Sequence, residues 1–271
     1  MWNRVNPKKS LGQNFLRDTN ITRKIINSLE LDSKDVVLEI GPGEGALTNY
    51  LVEKAERIIA VEVDKRCIEL LTEKFGSKIK IIDKDILKVS IEEIYKEEKI
   101  KIRVVGNIPY YITSAILFHI FDSSKYVKNF TAMMQKEVAK RLVAKPKTKD
   151  YGILSVMAQY FSSPKILFDV SRSCFYPMPN VTSSVVRLEL EKSNVIRAID
   201  ENIFRTIVRG TFNTRRKTLR NGLKNINAPA EAVEIASDYL EMRPEELTPN
   251  DFVKLANLFT KNGIILNARK Y

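Results

Sequence analysis

Cysteine is nearly absent. Cys67 and Cys174 are the only two in 271 residues, and they form no C-x-x-C pair. That count excludes a disulfide framework and a cysteine-rich zinc cluster, and it fits a reducing, cytoplasmic setting. Histidine is scarcer still. His119 stands alone among Ile116, Leu117, Ile120 and Phe121, so it is expected to be structural, and no metal site is expected. Long apolar runs are lacking too. The longest, near 112–121 and 151–161, fall far short of the roughly 20 residues a spanning helix needs, so no membrane association is expected. The first fifteen residues, MWNRVNPKKSLGQNF, contain no apolar leader segment, and Trp2 within them has no evident role.

Acid is the minority charge, with 33 Asp+Glu against 45 Lys+Arg and a net charge of +12. The excess is local. Residues 125–149 hold eight basic residues against one acid, and residues 205–224 hold seven with none, so the other 226 residues sum to −2. One charge run alone reads as a solvated face. Two acid-poor clusters with Phe212, Asn213 and Asn221 among them point to a phosphate backbone as partner. The candidate contacts are Lys136, Lys140, Arg141, Lys145 and Lys147 in the first cluster, and Arg215, Arg216, Lys217 and Arg220 in the second.

Along the chain, β-branched runs alternate with helical stretches. Strands are expected at 35–40, 57–63, 79–82, 102–105, 130–135, 166–170 and 185–190, with Met133 and Met134 supplying core on one face. Helices are expected near 20–29, 66–75, 91–96, 113–121, 136–144 and 153–161. This alternation argues an α/β fold with a mostly parallel, doubly wound sheet. After Glu191 the periodicity becomes helical. Thr248-Pro249-Asn250-Asp251 is a helix start, with Thr as N-cap, Pro at the first helical position and an acid at the third. Two domains are expected, 1–190 and 191–271.

The first strand runs into Gly41-Pro42-Gly43-Glu44-Gly45-Ala46. Glycines at alternate positions between a strand and a helix let the backbone approach a ligand closely. Glu62, at the end of the second strand, can accept ribose hydroxyls, and Asp85 after the third can accept from an adenine amino group. These features suit NAD or S-adenosylmethionine alike, so a dinucleotide oxidoreductase is a rival reading. The fourth strand separates them, because it ends in Gly106-Asn107-Ile108-Pro109-Tyr110. The lone pair of a base amino group is delocalised into the ring. An Asn side-chain oxygen and a neighbouring backbone carbonyl can accept its two N–H bonds and turn that lone pair toward an electrophilic methyl. Pro109 fixes the turn without adding a donor, and Tyr110 offers a ring to a base. A further segment, 175–183, holds an extended aromatic loop with two prolines that could wall a base pocket.

Taken together, LGQNFL at 11–16, LEIGPGEGALT at 38–48, VEVD at 61–64, NIPY at 107–110, QKEVAKR at 135–141, FYPMPNVTS at 175–183 and NTRRKTLRNGL at 213–223 cover nearly the whole chain. In these motifs and their order the chain resembles the bacterial small-subunit ribosomal RNA adenine N6,N6-dimethyltransferases. The resemblance implies a Rossmann-like, seven-stranded S-adenosylmethionine-dependent core and a small all-α C-terminal domain. It implies dimethylation of two adjacent adenosines near the 3′ end of 16S rRNA, in the small ribosomal subunit or its precursor, by a monomeric cytoplasmic enzyme. It implies cofactor contacts from Asn14 and Leu16, which the pattern alone leaves in an unstructured arm, and from Gly41, Glu62, Asp85 and Asn107. Catalysis is implied for Asn107, Pro109 and Tyr110, with Phe175 stacking on the target base. The macrolide-resistance methyltransferases of large-subunit rRNA share the core motifs, and the RRKTLRN run favours the small-subunit group.

Overall fold

The short β-branched runs become strands, while the two longest apolar runs, near 112–121 and 151–161, become helices. The structure, a computed structural model, describes residues 5–191 and 196–266, so Trp2 lies outside the described residues. In chain order the elements begin with β1 (Phe15–Leu16), α1 (Thr19–Ser28), β2 (Val36–Ile40), α2 (Thr48–Leu51), β3 (Arg57–Glu62), α3 (Lys65–Phe75) and β4 (Ile79–Asp83). They continue with α4 (Ile91–Glu98), β5 (Ile102–Asn107), α5 (Thr113–Asp122), β6 (Val127–Gln135), α6 (Lys136–Leu142), α7 (Ile153–Phe161), β7 (Ser163–Val170), β8 (Phe175–Tyr176) and β9 (Ser183–Glu189). The helices α8 (Glu201–Phe212), α9 (Leu219–Asn225), α10 (Ala230–Ile235) and α11 (Pro249–Lys261) follow. Among the described residues no helix is long and apolar enough to cross a membrane.

The main sheet has seven strands in the order β4-β3-β2-β5-β6-β9-β7. The first five are parallel, and β9 runs antiparallel to both β6 and β7. The order reverses at β2, which pairs with β3 on one side and β5 on the other. In open α/β sheets ligands bind at such a switch point, outside the carboxyl ends of the strands. The loops after β2 and β5 therefore flank the expected crevice. All five residues of β2 are buried, as a strand covered on both faces requires. For the same reason Met133 and Met134 on β6 are both buried, where the sequence reading placed core on one face only.

His119 is structural, its Nε2 lying 3.0 Å from the Val89 carbonyl oxygen. Cys67 and Cys174 are buried free thiols, and burial pushes Cys67 up to about 12. Asp18 caps α1, accepting from the N–H groups of Asn20 and Ile21.

The chain divides into two compact units. Among the described residues, one holds 5–139 with Phe161–Glu191, and the other holds Lys140–Tyr160 with 196–266. The single boundary read from the sequence at 190/191 is thus replaced by three crossings. The cause is aromatic packing inside the helical unit. The Tyr160 ring stacks on Phe204 at 4.2 Å, and the Tyr151 ring meets Phe212 edge-on at 6.1 Å. The Tyr151 hydroxyl also donates to the Leu247 carbonyl at 2.7 Å. In that unit Thr248 and Asp251 form the expected capping box at the start of α11.

Candidate active site

A cavity of about 370 Å³ opens at the switch point, within the size range of small-ligand sites. Its walls come from the arm before α1, the loop after β2, the ends of β3 and β4, and the loop after β5. Asn14, Leu16, Gly41, Gly43, Glu62, Asp85, Asn107, Pro109 and Tyr110 all line it. Residues far apart in sequence are brought together because parallel strands deliver their carboxyl ends to one edge.

The glycine loop makes the floor. Gly41 has φ +63°, a conformation costly for residues with a Cβ, and nothing lies within 4 Å of where a Cβ would sit. Gly43 has φ +57°, and a Cβ there would come within 2.9 Å of the Phe15 ring, so the arm lies directly on the loop. The Glu62 carboxylate is fixed by three backbone donors. Its Oε1 accepts from Val63 and Asp64 at 2.8 and 3.0 Å, and its Oε2 accepts from Gly43 at 3.1 Å. Asp85 accepts from Leu87 N–H through Oδ1 at 3.0 Å.

Asn107 ends β5. Its Nδ2 donates to the backbone carbonyl of Asn14 at 2.9 Å. An amide held by its nitrogen presents its oxygen as the remaining polar atom, and that oxygen is an acceptor. Tyr110 lies within 2.6 Å of Ser183 Oγ through its hydroxyl, and burial raises its phenol above the ordinary value.

The arm is ordered where the sequence gives no periodic signal. β1 pairs antiparallel with β8, with Phe15 opposite Tyr176 and Leu16 opposite Phe175. This pairing also sets the surroundings of Phe175. Phe175 is 5% exposed, packs in the core with Leu16 and Cys174, and is not among the residues lining the cavity, whereas its neighbour Tyr176 is exposed.

Sequence reasoning missed several residues here. Gln13 Nε2 donates to Asp64 Oδ2 at 2.9 Å, and Arg17 pairs with Glu44. Arg66 hydrogen-bonds Asp64 and, with Gln13, holds its carboxyl well below the usual range. Glu39 also lines the cavity. Burial pushes it up to about 7, against the hydrogen bond from Thr48 Oγ1 at 2.7 Å and with help from the nearby charge of Glu62. The acidic residue two positions before Gly41 was the available signal, inside a strand that otherwise reads as apolar.

The basic candidates separate into two groups. Lys140, Lys145, Lys147, Arg216 and Lys217 are exposed and make no ion pair among the described residues. Lys136 pairs with Asp169 and Arg220 with Glu241, while Arg141 is exposed on α6. Arg215 is committed internally. Its Nε pairs with Glu245, and its two Nη atoms donate to the carbonyls of Lys149 and Thr148 at 2.8 and 2.9 Å. It fixes the 145–149 segment beside its own, so within the helical unit it joins two basic runs that are distant in sequence.

Comparison with known proteins agrees with this geometry. Residues 4–261 match the family described as ribosomal RNA adenine dimethylase. Ribosomal RNA small subunit methyltransferase A of Lachnoclostridium phytofermentans is 44% identical over 263 residues, covering 93% of this chain and 91% of the relative. The protein of the same name from Streptococcus thermophilus is 40% identical over 270 residues, covering 95% and 93%. Among solved structures, a dimethyladenosine transferase from Plasmodium falciparum superposes with a TM-score of 0.80 at 27% identity, covering 92% of this chain and 98% of that one. The 23S rRNA methyltransferase ErmE gives a TM-score of 0.66 at 27% identity, covering 90% and 100%. The match spans both compact units as well as the cavity, and the chain belongs to the ribosomal RNA adenine dimethylase family.

Proposed function

We propose that this chain dimethylates the N6 amino groups of two adjacent adenosines near the 3′ end of 16S rRNA, using S-adenosylmethionine. The substrate is the small ribosomal subunit or its precursor in the cytoplasm, and the modification serves subunit biogenesis. Family membership supports the reaction class, and the names of the relatives at 40–44% identity support the small-subunit substrate. The observation that carries the chemistry is the Asn107 amide, fixed by Asn14 at the cavity wall.

The residues present fit the cofactor. The space beside Gly41 that a Cβ would fill is open, and the carboxylates of Glu62 and Asp85 stand at the ends of adjacent strands, where ribose hydroxyls and an adenine amino group can donate to them. Leu16 and Asn14 supply the wall on the arm side. When bound, S-adenosylmethionine supplies a methyl group whose bond to a positive sulfur breaks as the amine nitrogen attacks, leaving a neutral thioether.

The target adenine leaves its stack to reach this site, at a cost of roughly a few kcal/mol that stacking and hydrogen bonds offset. Asn107 Oδ1 accepts one N–H of the amino group, and the adjacent Ile108 carbonyl accepts the other. Pro109 contributes no competing N–H, and the Tyr110 ring flanks the base. These acceptors weaken conjugation of the lone pair with the ring and stabilise the developing ammonium, whose proton then passes to water. A monomethylated amine retains one N–H, so in the second round one acceptor is vacated and a methyl takes its place. No side chain must act as a strong base.

Lys140, Lys145, Lys147, Arg216 and Lys217 supply phosphate contacts outside the cavity. A dinucleotide oxidoreductase would leave Asn107 and these cations without a role. The test is release of S-adenosylhomocysteine when small subunits are added to the protein with S-adenosylmethionine. Release with large subunits alone would favour the large-subunit alternative, and release with neither would remove the proposal.

A further inference from the structure

One carboxylate holds both ends of the arm. Glu44 sits between two glycines in the loop after β2. Its Oε1 accepts from the Val5 backbone N–H at 2.9 Å and from Arg17 Nη2 at 3.1 Å, and its Oε2 pairs with Arg17 Nη1. The pair is largely shielded from water, with the side chains of Arg17 and Glu44 26% and 13% exposed. The guanidinium lies 5.7 Å from the Phe15 ring centroid and 5.9 Å from that of Tyr176. Residues 5 and 17 are thus tied to one point, and the chain between them supplies the cavity wall from Leu11 to Leu16.

The segment so closed has little structure of its own. It contains a three-residue 3-10 turn and the two-residue strand β1, too short to persist without other anchors. Its other attachments include Gln13 to Asp64, the accompanying Lys8–Asp64 ion pair at 3.6 Å, Arg66 Nη1 donating to the Asn6 carbonyl at 2.9 Å, the pairing of β1 with β8, the packing of Val5 and Phe15 with Cys67, and the Asn14 carbonyl that receives Asn107. We infer that Arg17 and Glu44 are positioning residues, a clamp that keeps the arm in place as a wall of the cofactor cavity and keeps the Asn14 carbonyl against the Asn107 amide. This rests on the proposed function for the identity of the cofactor, but the clamp itself is a property of the free protein.

A different role for Glu44 is to attract a cationic cofactor by its charge alone. The two roles give opposite signs for Arg17. Removing the guanidinium leaves Glu44 unbalanced beside the cavity, so direct attraction would tighten binding of S-adenosylmethionine and leave the uncharged sulfur of S-adenosylhomocysteine indifferent. Loss of a clamp weakens both ligands alike.

The experiment uses the full chain as wild type, Arg17→Met, Arg17→Lys, Arg17→Glu and the exchanged pair Arg17→Glu with Glu44→Arg. Calorimetry measures affinity for both ligands, and hydrogen exchange without ligand follows the amides of residues 11–16. The clamp predicts that Arg17→Met weakens both ligands about tenfold and speeds exchange at 11–16 by a similar factor. Arg17→Lys restores part of each, and the exchanged pair recovers part of what Arg17→Glu loses, because an arginine at position 44 remakes the ion pair but cannot accept from the Val5 N–H. Wild-type affinity or tighter in Arg17→Met, unchanged exchange at 11–16, or no recovery in the exchanged pair would each overturn the inference. If wild-type protein binds neither ligand, the cofactor assignment fails, while the exchange arm still decides the clamp.

Discussion

Asn107 donates through Nδ2 to the backbone carbonyl of Asn14 at 2.9 Å, joining the end of β5 to an arm 93 residues earlier in the chain. The bond determines which end of the amide meets a substrate. Asn107→Ala removes an oriented acceptor but leaves the other anchors of the arm, Glu44 and Asp64, in place. Methyl transfer at saturating cofactor should fall by ~10² or more, the scale of losing one preorganised hydrogen-bonding group, while affinity for S-adenosylhomocysteine changes only a few-fold. Single-turnover transfer and calorimetry on the same variant check both halves. Near wild-type transfer would remove Asn107 from the mechanism.

Glu39 gives the free protein a pH dependence of known sign. Its folded value is raised to about 7 from an ordinary 4.5. Between those values the native state holds a proton that the unfolded state releases, so this residue's contribution to stability falls as pH rises through the window. The full effect is on the order of 3 kcal/mol. Glu39→Gln retains an acceptor for Thr48 and removes the titration. Denaturant unfolding of the two proteins from pH 5 to pH 8 should therefore show a downward slope in wild type that is absent from the variant. Parallel slopes would show that Glu39 does not titrate there.

The basic surface predicts a separation between neighbours. Arg216→Glu with Lys217→Glu should weaken RNA binding and lower the slope of log K against log salt by ~2, because two exposed cations are lost from a phosphate-facing surface. Arg215→Ala should act through the fold instead. It leaves Glu245 and two backbone carbonyls without their partner, at a cost of about 1–3 kcal/mol seen as a lower midpoint in thermal unfolding. Unchanged salt slopes in the double variant would make that patch an ordinary solvated face.

What the sequence made legible follows from short-range physics. The seven strands of the main sheet announce themselves as β-branched runs, and the capping residue Thr248 acts within three residues of itself. The cavity residues at strand ends could be placed because a parallel sheet puts those ends on one edge. The rest depends on partners that periodicity cannot reveal. β1 is two residues long and pairs with residues 175–176, so nothing local marks it as a strand. Phe175 looks like an accessible aromatic until Leu16 covers it. The 140–160 segment joins the helical unit through Tyr151 and Tyr160, whose ring partners lie beyond residue 200. Arg215 reads as a surface cation, and only Glu245, thirty residues on, makes it structural.

The most direct test of the account is to incubate the protein with isotopically labelled S-adenosylmethionine and unmethylated small ribosomal subunits, then map the label on the RNA by mass spectrometry. The account predicts four labelled methyl groups on two adjacent adenosines near the 3′ end of 16S rRNA, with the signal abolished to within ~1% by Asn107→Ala. Label on large-subunit RNA only, label away from adenine N6, or equal transfer by Asn107→Ala would contradict it.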